Sequence, residues 1–203
     1  MKKTRYSVHP SVTMVGKWVA SLPKKTGRSL EEWIALVKKD GPPDEAPQRI
    51  WLKEKHKLGT NSAWWIASRV AGKEWEDGDP AAYLRAAEGY VETMFAGSEA
   101  GLRPIYDALL DVCLNFAPDV KACPCQTIVP LYRNHVFAQI KPTTRTRIDF
   151  GFALKDTPAT GKLIDTGGFA KKDRITHRME IKGPSDIDAE LKRWLKVAYE
   201  MDA

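Results

Sequence analysis

A chain of 203 residues with 43% hydrophobic and 29% charged residues has the balance of a globular protein that can bury a core. That excludes wholesale disorder and leaves one large domain or two open. Net charge is +6, and Lys2, Lys3, Arg5, Lys17, Lys24, Lys25 and Arg28 all precede the first acid, Glu31, which suits either an anionic partner or a merely solvated basic terminus. Three cysteines (Cys113, Cys123, Cys125) and a basic start with no apolar h-region predict reduced thiols in a cytoplasmic protein, with no membrane partner and no segment that spans a bilayer.

Val12, Val15, Val19 and Leu22, with Trp18 alongside, recur at helical spacing and predict a helix over 11–22 that Pro23 closes. Ser29 followed by Glu32 is a capping-box pattern. It starts a second helix over 30–39, with Leu30, Trp33, Ile34 and Val37 on one stripe and Gly41-Pro42-Pro43 as the stop. A third helix is expected from Pro47 to about His56, with Ile50 and Trp51 facing the core. A fourth, capped by Thr60 or Asn61, runs over 63–71 and ends at Gly72. After a turn through Asp77-Gly78-Asp79-Pro80, a fifth reaches Phe95, using Tyr83, Leu84, Ala87, Val91, Met94 and Phe95 as contact residues. Residues Gly97 to Gly101 read as a junction, which gives a helical domain over 1–97 and a sheet domain over 101–203.

The second part opens with a helix over 102–116. Beyond Pro118 the pattern becomes β-branched and aromatic with a period of two. Strands are expected over 127–133, 135–141, 145–154 and 174–182, with Asn134 turning the first pair and Lys141-Pro142-Thr143-Thr144 the second. Ile148, Phe150, Phe152 and Leu154 alternate with Arg147, Asp149, Gly151 and Ala153, so one face is buried and the other wetter. The connection over 156–173 has no periodicity, and connections this long are often functional. A last helix starts at Pro184-Ser185-Asp186 and buries Ile187, Leu191, Trp194, Leu195 and Ala198 against the sheet. The expected fold is therefore α+β: a helical domain followed by a small four-stranded sheet domain flanked by helices (α-β-β-β-β-α).

Two stretches, Thr26-Gly27-Arg28-Ser29-Leu30-Glu31-Glu32-Trp33 and Trp51-Leu52-Lys53-Glu54-Lys55-His56-Lys57-Leu58-Gly59, resemble a bacterial helical family, domain of unknown function 4287. The second half is similar to domain of unknown function 5655 at residues 106–118, Arg147-Ile148-Asp149-Phe150-Gly151-Phe152, Thr166-Gly167-Gly168-Phe169, Thr176-His177-Arg178 and Trp194-Leu195-Lys196-Val197-Ala198-Tyr199. The pair implies the two-part organisation. Neither resemblance carries site residues, and attachment of the second family to nuclease-like and transport-associated proteins implies an accessory role.

Several constellations bear on chemistry. Cys123-Pro124-Cys125 with His135 or His177 lacks the spacing and the second cysteine pair of structural zinc, so neither a metal nor a cofactor is expected. Cys113 shares a helical face with Leu109, Leu110 and Phe116 and reads as core. His177 alternates with Ile175, Met179 and Ile181, which suits a satisfied semi-buried histidine or, as a third option, the centre of an enzyme site. Gly167-Gly168 is either a plain turn or an anion-binding nest with Lys162, Lys171, Lys172 and Arg174 around it. A helix-turn-helix over 48–71 fits poorly because Ala63, Trp64, Trp65 and Ile66 open its second helix, although an exposed Trp65 would stack on single-stranded bases. The wetter sheet face carries Arg147, Arg174, Thr176, Arg178 and Glu180 with Lys141 nearby, and Phe137 and Tyr132 are its only candidates for base stacking. The leading expectation is a non-catalytic binding or adaptor protein for an anionic or protein partner, using Arg147, Gly167, Gly168, Lys171, Lys172, Arg174, His177 and Arg178. Non-specific nucleic-acid binding is the alternative.

Overall fold

The computed structural model describes residues 4–72 and 78–203, so Asp77 of the expected turn lies outside the described residues. The chain packs as two compact units: His9–Tyr83, and the described residues up to Val8 together with Leu84–Ala203. The division falls within one helix, and the Gly97 to Gly101 segment folds as a 3-10 helix, Gly97–Leu102, inside the second unit.

The first unit contains α1 (Pro10–Thr26), α2 (Leu30–Asp40), α3 (Glu45–Glu54), α4 (Thr60–Val70) and the start of α5 (Pro80–Met94). Pro23 does not close α1. It sits inside the last turn, and the helix ends at Gly27, whose φ of 76° lets its N–H reach back to the Pro23 carbonyl. The capping box of α2 forms as expected: Ser29 Oγ accepts the Glu32 N–H at 3.2 Å, and Glu32 Oε2 accepts the Ser29 N–H at 2.7 Å. On α3 the core face is Gln48 and Leu52 rather than Ile50, which is 56% exposed. Gln48 can be buried because its amide donates to the Pro42 carbonyl at 2.9 Å. Against Leu22, Trp33, Val37 and Leu52, α4 contributes Ala63, Ile66 and Ala67. Trp65 is half-buried with its ring centroid 4.6 Å from that of Trp18, so it is a packing residue and not an exposed stacking platform.

The second unit contains the rest of α5, then α6 (Arg103–Leu114), β1 (Lys121–Ala122), β2 (Val129–Tyr132), β3 (Val136–Thr144), β4 (Arg147–Phe152), β5 (Ile164–Asp165), β6 (His177–Ile181) and α7 (Ala189–Glu200). Among the described residues the strands make one antiparallel sheet in the order β1-β2-β3-β4-β6-β5. Sequence pattern predicts four of these strands. The additional two are two-residue edges, too short to show a period. The second hairpin also turns later than expected: β3 continues through Pro142 to Thr144, which pairs with Arg147, and a bulge between Pro142 and Thr144 accommodates the proline. The strand expected from Arg174 begins at His177, and the final helix begins after Asp188, which accepts the Glu190 and Leu191 N–H groups at 3.0 Å each. Pro184–Asp186 is a separate 3-10 turn. Helix α7 packs on β3 and β4, burying Leu191, Trp194, Leu195 and Ala198 with Ile148, Phe150, Phe152 and Met179 in one core.

Candidate functional site

Because β4 and β6 bury alternate residues under α7, the intervening ones share the opposite face of the sheet. Register places Lys141 beside Asp149, Asp149 beside Glu180, Gln139 beside Gly151 and Gly151 beside Arg178. The acids and arginines form a network. Arg178 lies 3.0 Å from both Asp149 and Glu180, and Arg147 lies 2.9 Å from each of the same two carboxylates. The Arg147 Nε hydrogen is not aimed at Asp149, so that contact is an ion pair without a directed hydrogen bond. The Arg178 hydrogen bond, ahead of Lys182 and Arg147, holds the Glu180 carboxyl below its usual range.

The segment between β5 and β6 folds over this face. Thr166 donates its N–H and its hydroxyl to the Thr176 carbonyl at 3.0 and 2.8 Å, and the Asp173 N–H reaches Gly168 O at 2.9 Å. Ile175 rests directly on Gly151, where a Cβ would come within 2.7 Å of its Cγ2 methyl. Glycine is needed there for close approach and not for its backbone angle. Between the loop and the sheet lies a cavity of about 530 Å³, floored by Gln139, Lys141, Asp149, Gly151 and Arg178 and walled by Thr166, Lys171, Asp173, Arg174 and Ile175.

Arg174 is fastened at the far end of the domain. Its Nε donates to the Val136 carbonyl at 2.7 Å, and its terminal nitrogen pairs with Asp202. Asp202 also accepts the Asn134 N–H at 3.0 Å, the His135 N–H at 2.8 Å and the His135 ring at 3.1 Å. Burial pushes the Asp202 carboxyl up. The His135 bonds, Arg174 and the Asn134 N–H outweigh it and hold the group below its usual range.

Of the residues the sequence nominated, Lys171, Arg174 and Arg178 line the cavity and Arg147 joins the ion network beside it. Lys172 is exposed with φ 62° and is not among the lining residues. The Gly167-Gly168 amides are spent inside the turn: Gly167 donates to Asp165 Oδ1 at 2.7 Å and Gly168 to Thr166 Oγ1 at 3.2 Å, so no anion nest is left. His177 faces the core with Met179 and Ile181. It is 1% exposed, and its Nδ1 meets Thr176 Oγ1 at 2.8 Å. Thr176 is buried as well and accepts the Leu154 N–H at 3.1 Å, so it leaves the expected wet face. Phe137 is fully buried and edge-on to Tyr199, and Tyr132 is half-buried.

Burial pushes the Cys113 thiol up, and burial followed by Cys125 raises Cys123 to about 12. Among the described residues, no group of three or more His, Cys, Asp or Glu side chains is placed to hold a metal ion. Asp149 and Gln139 were readable from strand alternation, whereas Asp173 and Asp202 carry no local signal.

A charged antiparallel sheet, covered by a loop on one side and by helices on the other, defines this half as an α+β domain. Residues 91–202 match the family described as Domain of unknown function (DUF5655), so the chain belongs to that family. Residues 16–71 match a second, Domain of unknown function (DUF4287), in the order expected. No curated protein and no solved structure matches the chain. Among the described residues, no helix is long and apolar enough to cross a membrane.

Proposed function

We propose that the sheet unit is a non-catalytic binding module whose cavity takes a small anionic ligand. One observation carries this reading. Lys141 and Lys171 both line the cavity, and neither ammonium group has an ion pair or hydrogen bond among the described residues, while the neighbouring Arg174 and Arg178 are neutralised by Asp202, Asp149 and Glu180. Against one unpaired carboxylate, Asp173, these two ammonium groups leave the concave site a surplus positive charge that attracts phosphate or carboxylate oxygens, and the volume falls in the range of about 300–1,000 Å³ usual for small-molecule sites. Asp173, also without a side-chain partner there, would take a ligand hydroxyl or amine, and Gln139 can donate and accept.

Binding is favoured over catalysis because His177 lies in the core, Cys113 and Cys123 are buried, and among the described residues no histidine or cysteine lines the cavity. With no exposed aromatic on the sheet floor, base stacking there has no support. The three free cysteines suit a reducing, cytoplasmic compartment.

Thermal melts with millimolar inorganic phosphate, citrate and adenosine monophosphate test the reading. At least one of these anions should raise the melting temperature of the parent. Lys141→Gln with Lys171→Gln should abolish the rise while leaving the far-ultraviolet circular dichroism unchanged. A parent melt indifferent to every anion, or an equal rise in the double variant, would overturn it.

A further inference from the structure

The helical unit carries a second cationic feature, distinct from the cavity. Segments 24–28 and 53–57 hold Lys24, Lys25, Arg28, Lys53, Lys55 and Lys57 against one carboxylate, Glu54. Folding joins Arg28 of the first segment to Lys55 of the second through a row of rings. Trp33 Nε1–H donates to Thr26 Oγ1 at 2.9 Å, next to Lys25 at the end of α1. The Trp33 ring meets His56 edge-on at 5.3 Å, and His56 meets Trp51 at 4.4 Å. Arg28 lies 5.2 Å from the Trp33 centroid and Lys55 5.2 Å from that of Trp51, so the two cations flank His56.

All six Lys and Arg side chains are exposed, and among the described residues none makes an ion pair. Elsewhere in the chain Arg5, Arg103, Arg133, Arg147, Arg174 and Arg178 sit against carboxylates. The field at His56 agrees with the geometry. Burial, then Lys55 and Arg28, lower its pKa below the ordinary histidine value.

We propose that this strip binds the phosphate backbone of nucleic acid without reading its sequence. The chemistry selects that partner. Trp33 is 2% exposed and Trp51 and His56 are half-buried, so the rings mainly carry the spaced positive charge above them, and the strip lies on helix ends and a turn and not along one helix that could enter a groove. Each phosphate neutralised releases condensed counterions, so affinity must fall steeply with salt.

Fluorescence anisotropy of a labelled DNA duplex, titrated with the full chain between about 50 and 200 mM salt, tests it. The parent should show a linear log–log salt dependence. Arg28→Gln with Lys55→Gln and Lys57→Gln should weaken binding at low salt at least about tenfold and reduce the slope by about 2–3, near 0.9 for each phosphate no longer neutralised. The charge-keeping set Arg28→Lys, Lys55→Arg and Lys57→Arg should retain binding, which separates an effect of charge from an effect of fold. Lys141→Gln with Lys171→Gln should leave the slope unchanged, so this strip and the sheet cavity fail independently. Salt-insensitive or absent binding, an unaffected glutamine triple variant, or polyglutamate bound as tightly as DNA would each overturn the proposal.

Discussion

Replacing Asp202 with alanine tests the idea that the chain's penultimate residue holds the cavity wall in place. Its side chain is 2% exposed, and it accepts two backbone N–H groups at 2.8 and 3.0 Å besides contacting the His135 ring and Arg174. Hydrogen bonds to a charged group contribute about 1.5–3 kcal/mol each when protected. The side chains of His135 and Arg174 are 73% and 48% exposed, so solvent screens their share and the backbone pair dominates. We expect Asp202→Ala to cost about 2–3 kcal/mol, or a fall of about 4–12 °C in melting temperature for a chain of this size. Urea unfolding followed by circular dichroism measures it. Because the folded carboxyl titrates below its unfolded value of about 3.9, its contribution is full above that pH, fades as pH falls through the depressed folded pKa, and is gone below it. The stability of the variant should therefore decline less between about pH 5 and pH 2 than that of the parent. A variant within about 0.5 kcal/mol of the parent at pH 7, with an identical acid limb, would refute the reasoning.

Two further substitutions probe local packing. Gly151→Ala puts a methyl 2.7 Å from Ile175 Cγ2 and 3.0 Å from Gln139 Cγ; a loss of about 1–3 kcal/mol in urea is expected, and an unchanged midpoint would mean that the loop does not rest on the strand. Ser29→Ala removes the acceptor for the Glu32 N–H and should cost about 1 kcal/mol, read from the unfolding midpoint, while Ser29→Asp, which restores an acceptor, should recover most of it.

Much of the scaffold was legible because it rests on local rules. The Ser29–Glu32 box, the alternation of Ile148, Phe150 and Phe152, and the stripe Leu191, Trp194, Leu195 and Ala198 each require only near neighbours in sequence. Several misreadings come from a partner outside the element being read. Gln48 is buried because Pro42 offers a carbonyl, Phe137 because Tyr199 packs against it, and Thr176 because the Gly167-Gly168 loop lies over it. The glycine turn spends its own amides on Asp165 and Thr166, a matter of side-chain direction that composition does not encode.

The sequence by itself determined the two-part order, the α+β class and the excess of basic side chains, since periodicity, capping and charge are properties of short windows. Which cations stay unpaired was decided only by tertiary structure. Asp202 meets Arg174 across 28 residues, and Asp149 meets Arg178 across 29, while no acid reaches Lys141, Lys171, Arg28 or Lys55 among the described residues. Neutralisation depends on distance in space, and only the folded chain sets that distance.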